Sequence, residues 1–197
     1  MIQLVLGGAR SGKSSYAESQ ADKLSDQVIY IATAGADDVE MKQRIANHQS
    51  SRPSHWRLIE EKFLLSEVLK NIIDCWEPNK QVSRPVILID CLTLWLSNWL
   101  CRFQDEQGEL NEWEREKANF MEQLQRLPVP ILLVSNEVGS GIVPMGELSR
   151  QFVDQAGWLN QAIAKVSERV VLVAAGLPLM LKDSGKKAPT ENGSNPC

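Results

Sequence analysis

Gly7-Gly-Ala-Arg-Ser-Gly-Lys-Ser14 is the stretch of this sequence that decides the fold. Its glycines, its lysine and its final hydroxyl stand at the G-x-x-x-x-G-K-[ST] spacing of a loop that wraps around phosphate groups. The residues before it, Met1 to Leu6, are largely apolar, as in a buried parallel strand, and residues 14–24 contain no glycine or proline. The sequence therefore predicts a strand, a phosphate loop and a helix, in that order.

The residue types of this loop predict how it would hold a nucleotide. Glycines let the backbone turn so tightly that its N–H groups converge on an anion, at the positive end of the helix that follows. The Lys13 ammonium would reach the outer phosphates, and the Ser14 hydroxyl would bind a Mg²⁺ ion carried in with the nucleotide. The loop alone therefore predicts a nucleoside triphosphate, but it does not predict which reaction follows.

Length and composition limit the other possibilities. The chain has 197 residues, 43% of them hydrophobic, which fits one globular domain. A net charge of -4 and a pI near 5.3 argue against a nucleic-acid partner. We expect no membrane span, since no apolar run approaches the required length of about 20 residues. The cysteines form no C-x-x-C pair, so we expect neither a structural metal nor disulfides, and a cytoplasmic location: Cys75, Cys91, Cys101 and Cys197.

Apolar strands and helical patterns alternate along the chain. Strands are expected at residues 1–6, 28–33, 85–90, 131–135 and 170–175, with a short edge strand at 177–181. Residues 54–58 are interpreted as a connection. Helices are expected at residues 14–24, 37–48, 64–76, 92–103, 111–127 and 147–168. This order predicts a parallel α/β sheet that is covered on both faces, in a domain spanning residues 1–182, with a disordered polar tail at 183–197.

The carboxyl ends of these strands carry the candidate ligand contacts, because open parallel sheets bind ligands there. Gly7, Ala32, Asp90 and Asn136 are expected along one rim. Asp90 ends an apolar strand, as does the Walker B acid that holds Mg²⁺ beside a nucleotide. The glycine-containing turn at residues 136–141 either touches substrate or only connects a strand to a helix, and its spacing alone does not decide between the two.

Two aromatic residues and one histidine have competing interpretations. Trp95 and Trp99, four residues apart on one helix, could face a flat ligand, but core or subunit-interface positions are the favoured interpretation. His48 lies between Arg44 and Arg52, and a neutral imidazole can attack phosphorus and carry it covalently. Because a helix C-terminus stabilises the imidazolium, the position of His48 alone favours a surface histidine. The position of His55 gives still less support for a catalytic role.

A set of motifs resembles the bifunctional adenosylcobinamide kinase/adenosylcobinamide-phosphate guanylyltransferase family of cobalamin biosynthesis. The resemblance runs in order through residues 1–182. Besides the phosphate loop, it is carried by Tyr30-Ile-Ala-Thr33, Glu40-Met41, Arg44-Ile45, His48-x-x-x-Arg52-Pro53, His55-Trp56, Asn136-Glu-Val-Gly139 and Gly141-Ile-Val-Pro144. It is much more specific than the loop alone.

The resemblance implies a RecA-like P-loop fold, a homotrimer and two reactions. ATP or GTP phosphorylates the aminopropanol hydroxyl of adenosylcobinamide, a corrinoid. GMP from GTP is then transferred to that phosphate, which gives adenosylcobinamide-GDP and pyrophosphate. The family carries GMP on a histidine, and His48 matches that position, which reverses the interpretation from position alone. Trp95 and Trp99 would suit either the trimer interface or the corrinoid.

The resemblance also implies a set of site residues. His48 and Lys13 would be catalytic, and Ser14 and Asp90 would hold Mg²⁺ through the nucleotide. Relatives can have glutamate where this chain has Asp90, and the shorter side chain still suits Mg²⁺ but reaches less far toward a base or ribose. The nucleotide contacts carried over are Gly7, Gly8, Ala9, Arg10, Ser11, Gly12, Lys13, Ser14, Ala32, Thr33, Ala34, Gln49, Ser50, Ser51, Arg52, Glu60 and Asp90.

Two other functions remain open from the residues themselves. A simple small-molecule kinase would use the phosphate loop and Asp90 and leave His48 idle. A nucleotide-dependent switch or assembly ATPase would act through a partner. The sequence lacks the N-K-x-D motif with which small GTPases recognise guanine, which argues against a switch of that kind. A preference for guanine therefore depends on the resemblance.

Overall fold

The computed structural model describes residues 1–34, 53–76, 84–106 and 110–184. Strands and helices alternate along them, as predicted. The elements are β1 (Ile2–Gly7), α1 (Lys13–Leu24), β2 (Val28–Ala32), β3 (Arg57–Glu60), α2 (Leu65–Asp74), β4 (Val86–Asp90), α3 (Leu92–Glu106), α4 (Leu110–Arg126), β5 (Ile131–Asn136), α5 (Glu147–Val166), β6 (Arg169–Ala174) and β7 (Leu177–Asp183).

The seven strands form one sheet in the order β3-β2-β4-β5-β1-β6-β7. All neighbours pair in parallel except β6 and β7, which form an antiparallel hairpin at one edge. The predicted parallel sheet and its edge strand are thus confirmed. The prediction of a mere connection at residues 54–58 is wrong, because β3 begins at Arg57. Its four residues are mostly exposed, so they lack the apolar run that reveals a central strand.

Alternating side chains of the strands divide the core between the two faces of the sheet. On one face, Val5 of β1 and Leu88 of β4 pack with Ala17 and Ala21 of α1. These alanines are fully buried and let the helix lie close to the sheet, whereas Leu24 is 43% exposed at the end of the helix. The other face carries the larger cluster, to which α2, α3, α4 and α5 contribute. Among the described residues, no helix is both long and apolar enough to cross a membrane.

The tryptophans of α3 belong to that larger cluster. Trp95 is fully buried and Trp99 is 3% exposed, and both indole N–H groups donate to the Phe63 carbonyl oxygen, at 2.7 and 3.1 Å. Trp95 also packs edge-on against Trp113, with ring centroids 4.8 Å apart. The core interpretation is confirmed. The alternatives of a flat ligand or a subunit interface are wrong, because neither side chain reaches the surface.

Two predicted features lie outside the described residues. One is the helix at residues 37–48, and the other is the polar tail from residue 185 onward. Strand β7 ends at Asp183, one residue inside the predicted tail.

Candidate active site

The phosphate loop joins the end of β1 to the start of α1, and it rests on the turn between β6 and β7. A Cβ atom at Gly7 would lie 2.6 Å from the Val173 carbonyl oxygen, which is too close. Gly12 has φ 92°, and a Cβ there would lie 3.1 Å from the Cα atom of Gly176. The Gly176 N–H donates to the Ser11 carbonyl oxygen at 2.8 Å. Both glycines are therefore required by this close approach, and Gly12 also by its backbone conformation.

The start of α1 is arranged as an anion site. No side chain caps the helix at Gly12, and its first turn contains no acidic residue. The first N–H groups of a helix have no partner within the helix and carry its positive dipole end. The Lys13 ammonium bends back over the loop and donates to the Gly8 carbonyl oxygen at 3.2 Å. Phosphate oxygens are the ligands that such a set of donors suits.

The second part of the site is the acid end, by which we mean Asp90 together with Tyr30, Thr33, Cys91 and Thr93. Asp90 ends β4, and the Tyr30 hydroxyl donates to its Oδ2 atom at 3.0 Å. Burial, and then the charge of Asp90, raise the pKa of the Cys91 thiol to about 11, while the hydrogen bond from the Thr93 hydroxyl, the Leu94 backbone and the charge of Lys13 act in the opposite direction.

Buried hydrogen bonds join the strand ends at this place. The Thr33 hydroxyl donates to the Cys91 carbonyl oxygen at 2.7 Å and accepts from the Cys91 N–H at 2.9 Å. The Asn136 N–H donates to the Thr93 hydroxyl oxygen at 3.0 Å, and the Asn160 amide donates to the Asn136 carbonyl oxygen at 3.2 Å. The peptide bond between Asp90 and Cys91 is cis. The network fixes the ends of β2, β4 and β5 relative to one another.

The strand register confirms the predicted rim. Gly7 is opposite Asn136, and Ala32 is opposite both Asp90 and Glu60. Glu60 is exposed at the end of β3, and Ala34 is half-buried. Thr33 is fully buried and its hydroxyl is engaged by Cys91, so a nucleotide contact at Thr33 stays a prediction.

The donors at this rim suit a magnesium ion that arrives with a nucleotide. Mg²⁺ prefers oxygen ligands and is often bound through one or two carboxylates together with substrate phosphates. Ser14 offers a hydroxyl in the first turn of α1, and Asp90 offers a carboxylate. Within the described ranges there is no group of three or more His, Cys, Asp or Glu side chains that could hold a metal by themselves. The residues therefore fit an ion shared with phosphates rather than a separate metal centre.

The turn after β5 lies beside the phosphate loop. The Glu137 N–H donates to the Gly7 carbonyl oxygen at 3.1 Å, and the Glu137 carboxylate accepts from the Gly139 N–H at 2.8 Å. Further along, Ile142 and Met145 are 97% and 95% exposed. The segment borders a groove of about 300 Å³ between α3 and α5, lined among others by Leu100, Val138 and Phe152. Substrate contact at this turn stays a prediction.

Part of the predicted site lies outside the described residues, namely His48, Gln49, Ser50, Ser51 and Arg52. The remaining members of the set lie along one edge of the sheet, from the phosphate loop after β1 to Glu60 on β3, with β2, β4 and β5 between these two strands. The sequence did not reveal that Tyr30, Thr93 and Asn160 support the rim, because these side chains reach it only once the strands lie side by side in the sheet. Tyr30 alone could have been noticed, since it places a hydroxyl in an otherwise aliphatic strand.

Comparison with known proteins gives a family match over most of the chain. The family described as cobinamide kinase / cobinamide phosphate guanyltransferase matches residues 3–181. The bifunctional adenosylcobalamin biosynthesis protein CobP of Pseudomonas aeruginosa is 49% identical over 182 residues, which are 92% of this chain and 98% of the relative. The bifunctional adenosylcobalamin biosynthesis protein CobU of Escherichia coli is 38% identical over 191 residues, covering 92% of this chain and 100% of the relative.

Among solved structures, an ATPase from the type III secretion system of pathogenic bacteria superimposes with a TM-score of 0.52 at 12% identity. The match covers 87% of this chain and 50% of that chain, so the present chain spans about half the length of that ATPase. At this identity the likeness concerns the fold alone. Together with the sheet order and the phosphate loop, it confirms the predicted α/β P-loop fold.

Proposed function

This chain belongs to the cobinamide kinase / cobinamide phosphate guanyltransferase family, and we propose that both reactions of that name take place at the rim where the phosphate loop and the acid end meet. The chain is a transferase of adenosylcobalamin biosynthesis that acts on a corrinoid. The observation that carries the proposed location is the strand register, which brings Gly7, where the phosphate loop begins, and Asp90 to the same carboxyl edge of the parallel sheet. A cation and an acid at one end of a parallel sheet are what a bound nucleoside triphosphate requires.

In the kinase step, the cobinamide hydroxyl oxygen attacks the γ-phosphorus of ATP or GTP. A P–O bond forms, the bond to the β,γ-bridging oxygen breaks, and the hydroxyl proton is released with the nucleoside diphosphate. The N–H groups at the start of α1 and the Lys13 ammonium hold the phosphates and stabilise the charge that develops on them. Mg²⁺ would neutralise further phosphate charge, with Ser14 and Asp90 as the residues that hold it.

In the guanylyl step, a neutral imidazole nitrogen of His48 attacks the α-phosphorus of GTP. An N–P bond forms while the bond to the α,β-bridging oxygen breaks, so pyrophosphate leaves. A phosphate oxygen of cobinamide phosphate then attacks the same phosphorus, the N–P bond breaks, and the imidazole is regenerated. The assignment of His48 is supported by the motif His48-x-x-x-Arg52-Pro53, and the contacts of Gln49, Ser50, Ser51 and Arg52 are proposed on the same basis.

The experiment separates a bifunctional enzyme from a simple kinase. The protein is incubated with GTP labelled at the α-phosphate, and label that is labile to acid and stable to alkali is measured on the chain. We expect this label in the wild type and not in His48→Ala. His55→Ala is the matched control, because the chain contains two histidines, and it should keep the label.

The same preparations distinguish the two halves of the proposal. His48→Ala should retain much of the cobinamide phosphorylation, because phosphoryl transfer does not use the imidazole. Lys13→Ala should reduce both reactions by roughly 10²–10³-fold, whereas Lys23→Ala, at the exposed opposite end of α1, should reduce neither. Equal loss of both reactions in a folded His48→Ala chain would contradict the proposed role of His48. A homotrimer is proposed on the family likeness, and light scattering of the purified protein tests it. A cytoplasmic location is proposed on the cysteine pattern, which suggests no disulfide framework.

A further inference from the structure

Tyr30 lies in the middle of β2, whose other residues are Val, Ile and Ala, and it is 2% exposed. Its hydroxyl donates to Asp90 Oδ2 at 3.0 Å. Tyr30 is in register with Leu88, and Asp90 with Ala32, so the two side chains point to the same face of the sheet. This is the face on which α1 packs. Neither reaction described above makes use of the tyrosine hydroxyl.

The Tyr30 ring is held in place by its neighbours. It belongs to the buried cluster that contains Val5, Val28 and Leu88. It also stacks on the Trp56 ring, with centroids 6.3 Å apart and an angle of 27° between the planes. Because the ring is held in this way, its hydroxyl has a fixed position. The hydrogen bond therefore constrains the carboxylate, rather than following its movements.

The bond restricts the orientation of the Asp90 carboxylate. Its Oδ2 atom uses one lone pair to accept from the Tyr30 hydroxyl, which leaves the other lone-pair sites of the carboxylate to face a ligand in a fixed direction. Because the phenol is neutral, it orients the carboxylate without cancelling its charge. Groups that hydrogen-bond to metal ligands from behind set the orientation of those ligands and their affinity for the metal.

We propose that Tyr30 is a positioning residue that orients the Asp90 carboxylate toward the Mg²⁺ ion of the bound nucleotide. The inference depends on the proposed function, since it takes Asp90 as the residue that holds this ion. A buried tyrosine whose hydroxyl merely needed a partner would matter for folding and would not affect the metal. The experiment measures this difference.

Tyr30→Phe removes one oxygen atom and keeps the ring. Calorimetric titration gives the Kd of GTP first in EDTA and then in excess Mg²⁺, and the ratio of the two values is the magnesium benefit. We expect the benefit to fall roughly ten-fold, while the Kd in EDTA is unchanged. Tyr16→Phe is the matched control, because Tyr16 is the other tyrosine of the chain, and it should change neither value. Thermal unfolding without nucleotide reports any structural effect separately.

The Asp90→Asn variant separates the proposed role of Asp90 in holding Mg²⁺ from the proposed role of Tyr30 in orienting Asp90. In the Asp90→Asn chain we expect the magnesium benefit to be lost, and adding Tyr30→Phe should cause no further loss, because both residues act through one carboxylate. If Asp90→Asn keeps the benefit, the proposed role of Asp90 is wrong. If Asp90→Asn loses the benefit and Tyr30→Phe keeps it, only the inference about Tyr30 is overturned.

A second measurement covers the case in which Tyr30→Phe does not fold. The wild-type protein is labelled with 3-fluorotyrosine, and the Tyr30 signal in the ¹⁹F NMR spectrum is assigned by its persistence in Tyr16→Phe. Addition of Mg²⁺ to the GTP complex should shift this signal, because the hydroxyl bonds to the carboxylate that receives the ion. A Tyr30 signal that does not move would overturn the inference.

Discussion

The phosphate loop and the acid end face the same proposed nucleotide, but they are built in opposite ways. The loop is eight consecutive residues whose working groups are mainly backbone N–H groups, and its shape depends on glycines at positions 7 and 12. The acid end is made of residues in and directly after β2 and β4, together with Thr93 of α3. The Thr33 hydroxyl and the Cys91 backbone are joined across 58 positions of sequence. The loop therefore tolerates no added side chain at the two glycines that approach other backbone, whereas each side chain of the acid end can be removed separately and should have a smaller effect.

The largest effect is expected at Gly7. Gly7→Ala places a methyl group against the Val173 carbonyl oxygen, so the loop or β6 must move, and the free energy of unfolding should fall by about 3 kcal/mol, at the upper end for overpacking. Gly8→Ala is the matched control, because nothing lies within 4 Å of its added Cβ, and it should change stability by less than about 0.5 kcal/mol. Urea unfolding without nucleotide measures both. Equal stability of the two variants would show that the loop is not braced by β6.

A smaller effect is expected at Thr33. Thr33→Val keeps the shape but leaves the Cys91 N–H buried without its hydroxyl partner, so the free energy of unfolding should fall by about 1–2 kcal/mol. The Kd of GTP in EDTA should stay within about three-fold of wild type, since the loop amides are untouched. Calorimetry checks this value. A loss of EDTA binding as large as that in Lys13→Ala would mean that the two regions are one cooperative unit.

The smallest effect on stability near neutral pH is expected at Cys91, where the prediction concerns the reactivity of the thiol. Because burial and the Asp90 charge raise the pKa of this thiol from 9.0 to about 11, it holds about one-hundredth as much thiolate at pH 8 as an ordinary cysteine. The folded state prefers the protonated thiol, so its contribution to stability is complete below pH 9 and is lost as the pH rises toward 11.

Mass spectrometry after iodoacetamide treatment checks this prediction at pH 8. The exposed thiols of Cys75 and Cys101 should react first, and Cys91 should react faster in Asp90→Asn, because one of the causes that raise its pKa has been removed. Alkylation of Cys91 at the rate of Cys101 in the wild type would show that the acid end is open.

The contrast between the two regions also explains how much could be predicted from the sequence. The loop, the parallel strands and the rim residues Gly7, Ala32, Asp90 and Asn136 follow from local patterns, because each is encoded by neighbouring residues. The partners of Asp90 do not, since the contact with Tyr30 exists only after β2 and β4 have become neighbours in the sheet. Strand β3 was not predicted from the sequence for a related reason, because an exposed edge strand lacks the apolar run that marks a central strand.

The contact between the Gly176 N–H and the Ser11 carbonyl oxygen has a consequence for the order of folding. Ser11 and Gly176 are separated by 165 positions of sequence, and contacts between residues so far apart form late, because a long loop must first be closed. The phosphate loop therefore gains its support only when the β6–β7 hairpin has joined the sheet. Nucleotide binding is in this way coupled to the docking of a hairpin that contributes no side chain to the proposed nucleotide contacts.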